Sequence, residues 1–320
     1  MAKGWYERIR DIDRRWIFLL IALAVVLSLL FEMYFPEIPT PMVKQVYDQI
    51  ENLPAGSRVL IDFSYDPASM PELQPMAIAW VRHCFLKRHR IYAMALWPLG
   101  QQLAVETINR AIDFVKKIEP GREIIYGTDF VNLGYKSGQQ GVIKVVLTNL
   151  ETLYSTDING THISKIPMMA GVVNLKSFDL IVSVSAGLPG SKEWVQFGSD
   201  PAHVPLVSGS TAVQAPLLYP YYPRQLVGVL GGLKGAAEYE QLLFERKLKP
   251  LLEKRLAELG HPAGAEDLVA QAGQYLGYSQ LGIKRMGPQT IAHLVIIAFI
   301  IIGNITYFID RRRARGRKTR

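Results

Sequence analysis

Four short apolar runs in this chain each end in a cluster of Asp, Ser, Thr or Gly, and those clusters are where chemistry could sit. Asp62, Ser64 and Asp66 close or follow the run 58–63 (RVLIDF). Thr128 and Asp129 follow the run 122–126. Ser183, Ser185 and Gly187 belong to 178–188 (FDLIVSVSAGL), and Ser208, Gly209, Ser210 and Thr211 end the run 203–208 (HVPLVS). Hydroxyls and carboxylates donate and accept hydrogen bonds at short reach, and glycine lets a ligand approach the backbone. Two chemistries fit. One is capture of a small polar ligand. The other is hydrolysis, with Asp62 or Asp129 serving a strand-exit serine, or Asp62 and Asp66 pairing as general acid and base. The same residue types also cap helices and shape tight turns, so the clusters alone do not choose.

Sharper signatures are missing. The run Gly228-Val-Leu-Gly231-Gly232-Leu-Lys-Gly235 lacks the G-x-G opening of a dinucleotide turn, and it reads as helical, for close packing or as a flexible joint near the membrane, rather than as a phosphate loop; no G-x-x-x-x-G-K-[ST] occurs. No G-x-S-x-G nucleophile elbow occurs either. His203 starts a run whose hydroxyls lie at its far end, which disfavours a Ser-His pair. His83 and His89 are six apart and face different sides of a helix, and no His/Cys/Asp cluster has metal-ligand spacing. No metal and no cofactor is therefore expected. The single cysteine, Cys84, excludes an internal disulfide; within a helical pattern beside Ala79 and Phe85 it reads as a small buried hydrophobe.

These clusters need elements to position them. In 178–188, Leu180, Ile181, Val182 and Val184 form a near-continuous apolar run, the pattern of a strand covered on both faces. The runs 58–63, 90–96, 122–126 and 203–208 share that grammar, with Pro205 marking the last as an edge strand or one with a short ladder. Between them lie helical patterns. One runs from Thr40-Pro41 through Val43, Val46, Tyr47, Ile50 and Leu53, with Thr40 as N-cap. A second covers 69–87 behind a Ser69…Glu72 capping box. Others cover 101–117, 139–151 and a short 191–197. Alternating strands and helices imply a parallel sheet with helices on both faces and right-handed crossovers. In such a sheet all strand exits share one edge, where ligands bind. The architecture resembles Rossmann-like doubly wound sheets of about five strands, a fold that does not fix function.

Past residue 216 the composition changes. Tyr219, Tyr221, Tyr222 and Arg224 stand among Pro216, Pro220 and Pro223, a rigid aromatic stretch suited to a partner, to a lid over the strand exits, to an interfacial anchor or to packing onto the sheet. A charged helix over 238–259 follows, with a kink at Pro250, and a last short helix over 265–276.

Two apolar segments bracket this body. Residues 16–35 and 291–309 are each long enough to cross a hydrocarbon core of about 30 Å, and no small-residue cleavage site follows the first. The net charge of +8 belongs to the tails: residues 1–15 carry +2 and 310–320 carry +6, whereas 36–290 carry +1 and Glu32 carries −1. Basic tails flanking apolar helices argue for membrane orientation rather than nucleic-acid binding. His293 near the start of the second segment suits an interfacial position.

The sequence thus predicts six parts: a basic cytoplasmic tail (1–15), a transmembrane helix (16–35), an α/β domain (36–215), a Tyr/Pro- and Gly-rich then helical segment packing on it (216–290), a second transmembrane helix (291–309) and a second basic cytoplasmic tail (310–320). Residues 36–290 are expected outside the cytoplasm of a multi-pass cell-membrane protein. The function expected is binding of a small polar ligand or of a membrane protein partner, including a second copy, as an accessory or sensor component. The alternative is a membrane-anchored hydrolase with its site at the carboxyl ends of the strands.

Overall fold

Val59, Ile61 and Phe63 alternate with Leu60, Asp62 and Ser64 along the first strand, and the two sets belong to different layers. The computed structural model describes residues 12–31, 35, 37–258 and 281–318. The short helix expected over 265–276 and most of the first tail lie outside the described residues. The chain divides into two units, Pro36–Ile283 and the two terminal segments.

Within the first unit the elements are α2 (Pro41–Glu51), β1 (Arg58–Ser64), α3 (Met70–Leu86), β2 (Arg90–Ala95), α4 (Gly100–Ile118), β3 (Phe130–Tyr135), α5 (Gln140–Thr148), β4 (Leu180–Ser185), α6 (Ser191–Trp194), β5 (Leu206–Ser210), β6 (Gly228–Gly231), α7 (Gly232–Leu243) and α8 (Lys249–Glu258). The six strands form one parallel sheet in the order β3-β2-β1-β4-β5-β6. That is the doubly wound order, whose direction of growth reverses between β1 and β4.

Each face of the sheet has its own core. Val59, Ile61, Phe63, Val182, Val184 and Val207 are buried with side chains of α2, α3, α4 and α7. Leu60, Ile181, Leu206 and Val229 are buried with α5, with the 3-10 turns between α5 and β4, and with Trp194 and Val195. Burial on both faces explains the near-continuous apolar runs. Each fully buried Val, Leu or Ile contributes about 1.5–3 kcal/mol.

Two strand expectations are corrected. The apolar residues of 122–126 do not form a strand: Ile124 packs on the core edge, Tyr126 donates to Asp157 (2.6 Å), and the chain turns at Gly127 with φ +78°. The strand follows, at Phe130–Tyr135. Asn132 and Gly134 break its apolar continuity, as an edge position allows. Second, β5 is internal, between β4 and β6. Pro205 lies just before it and needs no ladder N–H, and its carbonyl accepts from Ile181 N (2.9 Å). The sixth strand, Gly228–Gly231, falls in the glycine run read as helical; only the half from Gly232 onward is helix.

Caps also differ from expectation. Thr40 turns its hydroxyl and its N–H to Glu238 Oε2 (both 2.8 Å) rather than to its own helix. Ser69 pairs with Asp66 Oδ1 (2.7 Å), and Glu72 Oε2 instead accepts from Ala212 N (2.9 Å). On α7, two residues past Glu238, Glu240 Oε2 accepts from Gly282 N (2.9 Å) and Ile283 N (3.1 Å). One helix therefore clamps both the segment entering the domain and the segment leaving it. The kink expected at Pro250 shows as a wider-wound turn, Phe244–Leu248, ahead of it, because proline lacks an N–H and crowds the carbonyl four residues earlier.

A buried histidine ties α2, α3 and α7 together. His83 Nδ1 accepts from Tyr239 Oη (2.6 Å), and its Nε2–H donates to Glu51 Oε2 (2.8 Å). Tyr47 stacks on the ring at 4.6 Å. Burial lowers the His83 pKa to about 4, so the ring is neutral. Cys84 beside it is buried, and burial pushes its thiol up to about 12.

In the terminal segments, α9 (Leu281–Lys318) contains a stretch, Leu281–Arg312, long and apolar enough to cross a membrane. It begins ten residues before the segment expected from sequence. The first terminal helix, α1 (Arg14–Leu30), is N-capped by Asp13 and ends at Phe31 after 17 residues. Among the described residues one helix, not two, meets the length and composition of a membrane span. At about 1.5 Å per residue, α1 reaches about 26 Å, short of the ~30 Å hydrocarbon core.

Candidate functional site

The register of the strands builds the site. Asp62 on β1 lies beside Ser183 on β4, which lies beside Ser208 on β5; one step later Ser64, Ser185 and Ser210 form a second row. Side chains two apart share a face, so D-x-S, S-x-S and S-x-S on three adjacent strands place six polar groups on one face, near its carboxyl edge. All six are buried. The 191–202 helical stretch covers them; its Ser191 and Trp194 bond Asp62, Ser183, Ser185 and Ser208, while Ser64 accepts from Leu96 N and Ser210 donates to Ser185 O.

Asp62 is fully buried and fully bonded. Its Oδ1 accepts from Ser64 Oγ (2.5 Å); its Oδ2 accepts from Trp194 Nε1 (2.8 Å) and Ser183 Oγ (3.2 Å). Burial raises its pKa to about 7, against the opposing pull of the Ser64, Trp194 and Ser183 hydrogen bonds. Ser191 is the hub of the hydroxyls. Its Oγ accepts from Ser208 Oγ (2.6 Å), donates to Ser183 Oγ (3.0 Å) and lies 3.0 Å from Ser185 Oγ. The Ser191 N–H also reaches Ser185 Oγ (2.9 Å). This approach requires glycine at position 190, where a Cβ would fall 2.6 Å from Ser185 Oγ and 2.7 Å from its Cβ. Gly190 N is itself held by Glu193 Oε2 (2.8 Å).

A cleft of about 170 Å³ opens beside this network at the carboxyl ends of β4 and β5. Its polar lining is Ser185, Ser191, Lys192, Ser210 and Gln214; Gly187, Leu188, Leu217 and Leu218 complete it. The β4 exit loop is pinned by Trp97 Nε1, which donates to Pro189 O (2.9 Å). The cleft therefore lies on the edge, and next to the reversal point, where doubly wound sheets take ligands.

Of the residues expected at the site, Ser185, Gly187 and Ser210 line the cleft, and Asp62, Ser64, Ser183 and Ser208 form the buried network behind it. The other five lie elsewhere. Asp66 stays at the β1 exit, where its bonds with Ser69 lower its pKa. Thr128 and Asp129 precede β3, so they stand at the amino edge of the sheet, opposite the cleft; Asp129 there accepts from Ile125 N (2.7 Å). Gly209 points to the other face, where a Cβ would strike Met76 Sδ and the Trp80 ring. Thr211 begins the loop after β5, and its carbonyl accepts from Gln214 N and Ala215 N.

The tyrosine loop is bonded to its own domain. Tyr221 Oη accepts from Gln196 Nε2 (2.6 Å), and Tyr222 Oη donates to Gln45 Oε1 (2.7 Å). Tyr219 is exposed. Arg224 and His203 line a separate cleft of about 320 Å³ at the amino end of β5. Among the described residues no group of three or more His, Cys, Asp or Glu is placed to hold a metal ion.

Sequence reasoning missed Ser191, Lys192, Trp194 and Gln214. The readable signal was Pro189-Gly190-Ser191 directly after a strand exit, a turn followed by a helix start with Glu193 in capping position.

No family model matches the chain, and no curated protein matches it. Among solved structures, a trehalose-6-phosphate synthase (OtsA) aligns at 10% identity with a TM-score of 0.28, covering 80% of this chain and 46% of that one. The chain spans under half the length of that enzyme, and a superposition this partial says nothing about chemistry here.

Proposed function

We propose that this chain is a membrane-anchored protein whose Rossmann-like domain binds a small polar ligand in the cleft at the carboxyl ends of β4 and β5, as a sensor or accessory component of a membrane complex. The observation that carries this is the cleft itself: hydroxyls of Ser185, Ser191 and Ser210 with Lys192 and Gln214 converge at a strand-end edge. Behind them a fully bonded network fixes their positions, so little ordering is left to ligand binding. The sensor role draws on α7. It starts at the β6 exit, where Gly231 and Gly232 lie against Ala215 and Ala212 of the loop that also supplies Gln214. It carries the Glu238 and Glu240 clamps on the segments that lead toward the two apolar helices.

In this reading the apolar segments 16–35 and 291–309 both cross the membrane, the first over its full length rather than over α1 alone, the basic tails stay in the cytoplasm, and residues 36–290 face outward. A membrane protein partner or a second copy would meet the exposed Tyr219 side of the tyrosine loop. A second reading, a membrane-anchored hydrolase, rests on the hydroxyl chain that runs from the cleft wall to Asp62.

The test is a melting screen of the full-length protein in detergent against small carboxylates, polyols and phosphorylated sugars. A ligand at 100 times its Kd stabilises by about 2.7 kcal/mol. At least one compound should raise the midpoint of the wild type and leave that of Gln214→Trp, which fills the cleft from its rim, unmoved. Equal shifts in both proteins would place binding elsewhere.

A further inference from the structure

We infer that Ser191 is a nucleophile and that the cleft takes carboxylic esters with a short acyl chain. This rests on the cleft being the binding site and adds a reaction to it.

A nucleophilic serine needs a base within reach, a group that holds the base in place and a charge facing the developing oxyanion. Ser191, 2% exposed, reaches the cleft wall and passes on a directed chain. Its hydroxyl donates to Ser183 Oγ (3.0 Å), and that hydroxyl donates to Asp62 Oδ2 (3.2 Å). Ser208 donates to Ser191 (2.6 Å), so this series of O–H groups points toward one carboxylate. Trp194 and Ser64 fix that carboxylate. Its pKa, raised to about 7 by burial, gives a base matched to neutral pH. Lys192 supplies the cation, and Leu188, Leu217 and Leu218 supply an apolar wall for an alkyl chain.

The step balances as follows. Ser191 Oγ attacks the carbonyl carbon and forms a C–O bond; its proton passes to Ser183 Oγ while the Ser183 proton passes to Asp62. The carbonyl π pair moves to oxygen, facing Lys192. The bond to the alcohol then breaks, and the leaving oxygen takes a proton from the Lys192 ammonium. Water attacks the acyl-Ser191 ester and gives its proton to the Lys192 amine. Ser191 leaves and recovers its own proton from Asp62 through Ser183. Ester and water have become acid and alcohol, and the protein is unchanged. Ser191 and Lys192 touch substrate, whereas Ser183 and Asp62 act through Ser191.

The test is labelling of the full-length protein in detergent with a biotinylated fluorophosphonate, followed by peptide mapping. The wild type should label at Ser191, with a rate that rises through an inflection near pH 7, and should hydrolyse p-nitrophenyl butyrate. Asp62→Asn should label about 10²-fold more slowly and lose the inflection, a change that damage to packing alone would not produce. Ser183→Ala keeps the Ser191 hydroxyl and cuts the relay, so it should slow labelling similarly while the mapped residue stays Ser191. Ser191→Ala should not label. If any variant fails to fold, the site map and pH profile of the wild type decide alone. No label between pH 5 and 9 on a wild type that melts cooperatively, or label on a different serine, overturns the inference. In that case a ligand that stabilises the wild type but not Gln214→Trp would still uphold the binding site.

Discussion

Asp62→Ala should cost about 3–5 kcal/mol of stability, and Asp62→Asn only about 1–2 kcal/mol. The alanine variant strips the acceptor from three buried donors at once: Ser64 Oγ, Ser183 Oγ and Trp194 Nε1. Each is left unsatisfied inside a sheet whose neighbouring strands are fully buried, and a cavity is added. Asparagine keeps an oxygen for Trp194 and Ser183 and turns its amide toward Ser64, so most of the network survives. Urea denaturation of the full-length protein, followed by tryptophan fluorescence, reads the difference directly, because Trp194 is one of the partners. Equal costs for the two variants would mean that the network does not hold the carboxyl edge together.

The second large effect is in pH. Two fully buried groups have pKa values moved in opposite directions by burial: Asp62 from 3.8 up to about 7, and His83 from 6.5 down to about 4. Between pH 3.8 and 7 the unfolded chain has released the Asp62 proton and the folded chain keeps it, so stability falls as pH rises. Between pH 4 and 6.5 the unfolded chain has bound a proton at His83 and the folded chain has not, so stability falls as pH drops. Each slope is roughly 1.4 kcal/mol per pH unit. Over the shared window, about pH 4 to 6.5, they oppose each other; His89, whose pKa burial also lowers, adds to the histidine side, so the wild type should lose less stability on acidification than the histidines alone would cause. Glu51, lowered from 4.5 to about 2 chiefly by the His83 hydrogen bond, contributes stability that is lost as pH falls through that range, so it adds to the histidine side at the acid end of this window. Asp62→Asn should expose the histidine slope and lose stability on acidification. His83→Gln should lose less stability on acidification than the wild type. Denaturation midpoints at half-unit steps from pH 4 to 7 test this; parallel profiles for wild type and Asp62→Asn would contradict it.

Much of this arrangement could be read from residues alone, because burial on both faces leaves a plain signature. The runs ending in Asp62-Phe63-Ser64, Ser183-Val184-Ser185 and Ser208-Gly209-Ser210 name their strands, and the parity of the polar positions names the face. What failed did so for local reasons. In the Ile124-Ile125-Tyr126 run Ile124 and Tyr126 pack on the edges of the two cores while Ile125 is exposed, and periodicity cannot distinguish such a turn from a short strand. This error carried Thr128 and Asp129 to the wrong edge. Gly209 was grouped with its serine neighbours although it has opposite parity. The strand Gly228–Gly231 holds two apolar residues between glycines, too few for a pattern. Ser191 and Trp194 escaped notice because their role depends on a chain reversal that folds 191–202 back over the sheet, which no local spacing encodes. Glu238 and Glu240 read as surface charges on a polar helix, and only the tertiary partners Thr40, Gly282 and Ile283 make them clamps.

The central claim, that the cleft between Ser185, Ser191 and Ser210 holds a small molecule, is tested most directly by native mass spectrometry. The full-length protein would be purified from its own host under gentle solubilisation, alongside Gln214→Trp prepared in the same way. A wild type that carries a small molecule of defined mass, absent from Gln214→Trp, is the predicted result, and that mass gives the ligand its chemistry. A wild type without any bound mass, or the same mass retained when the cleft is filled, would contradict the account.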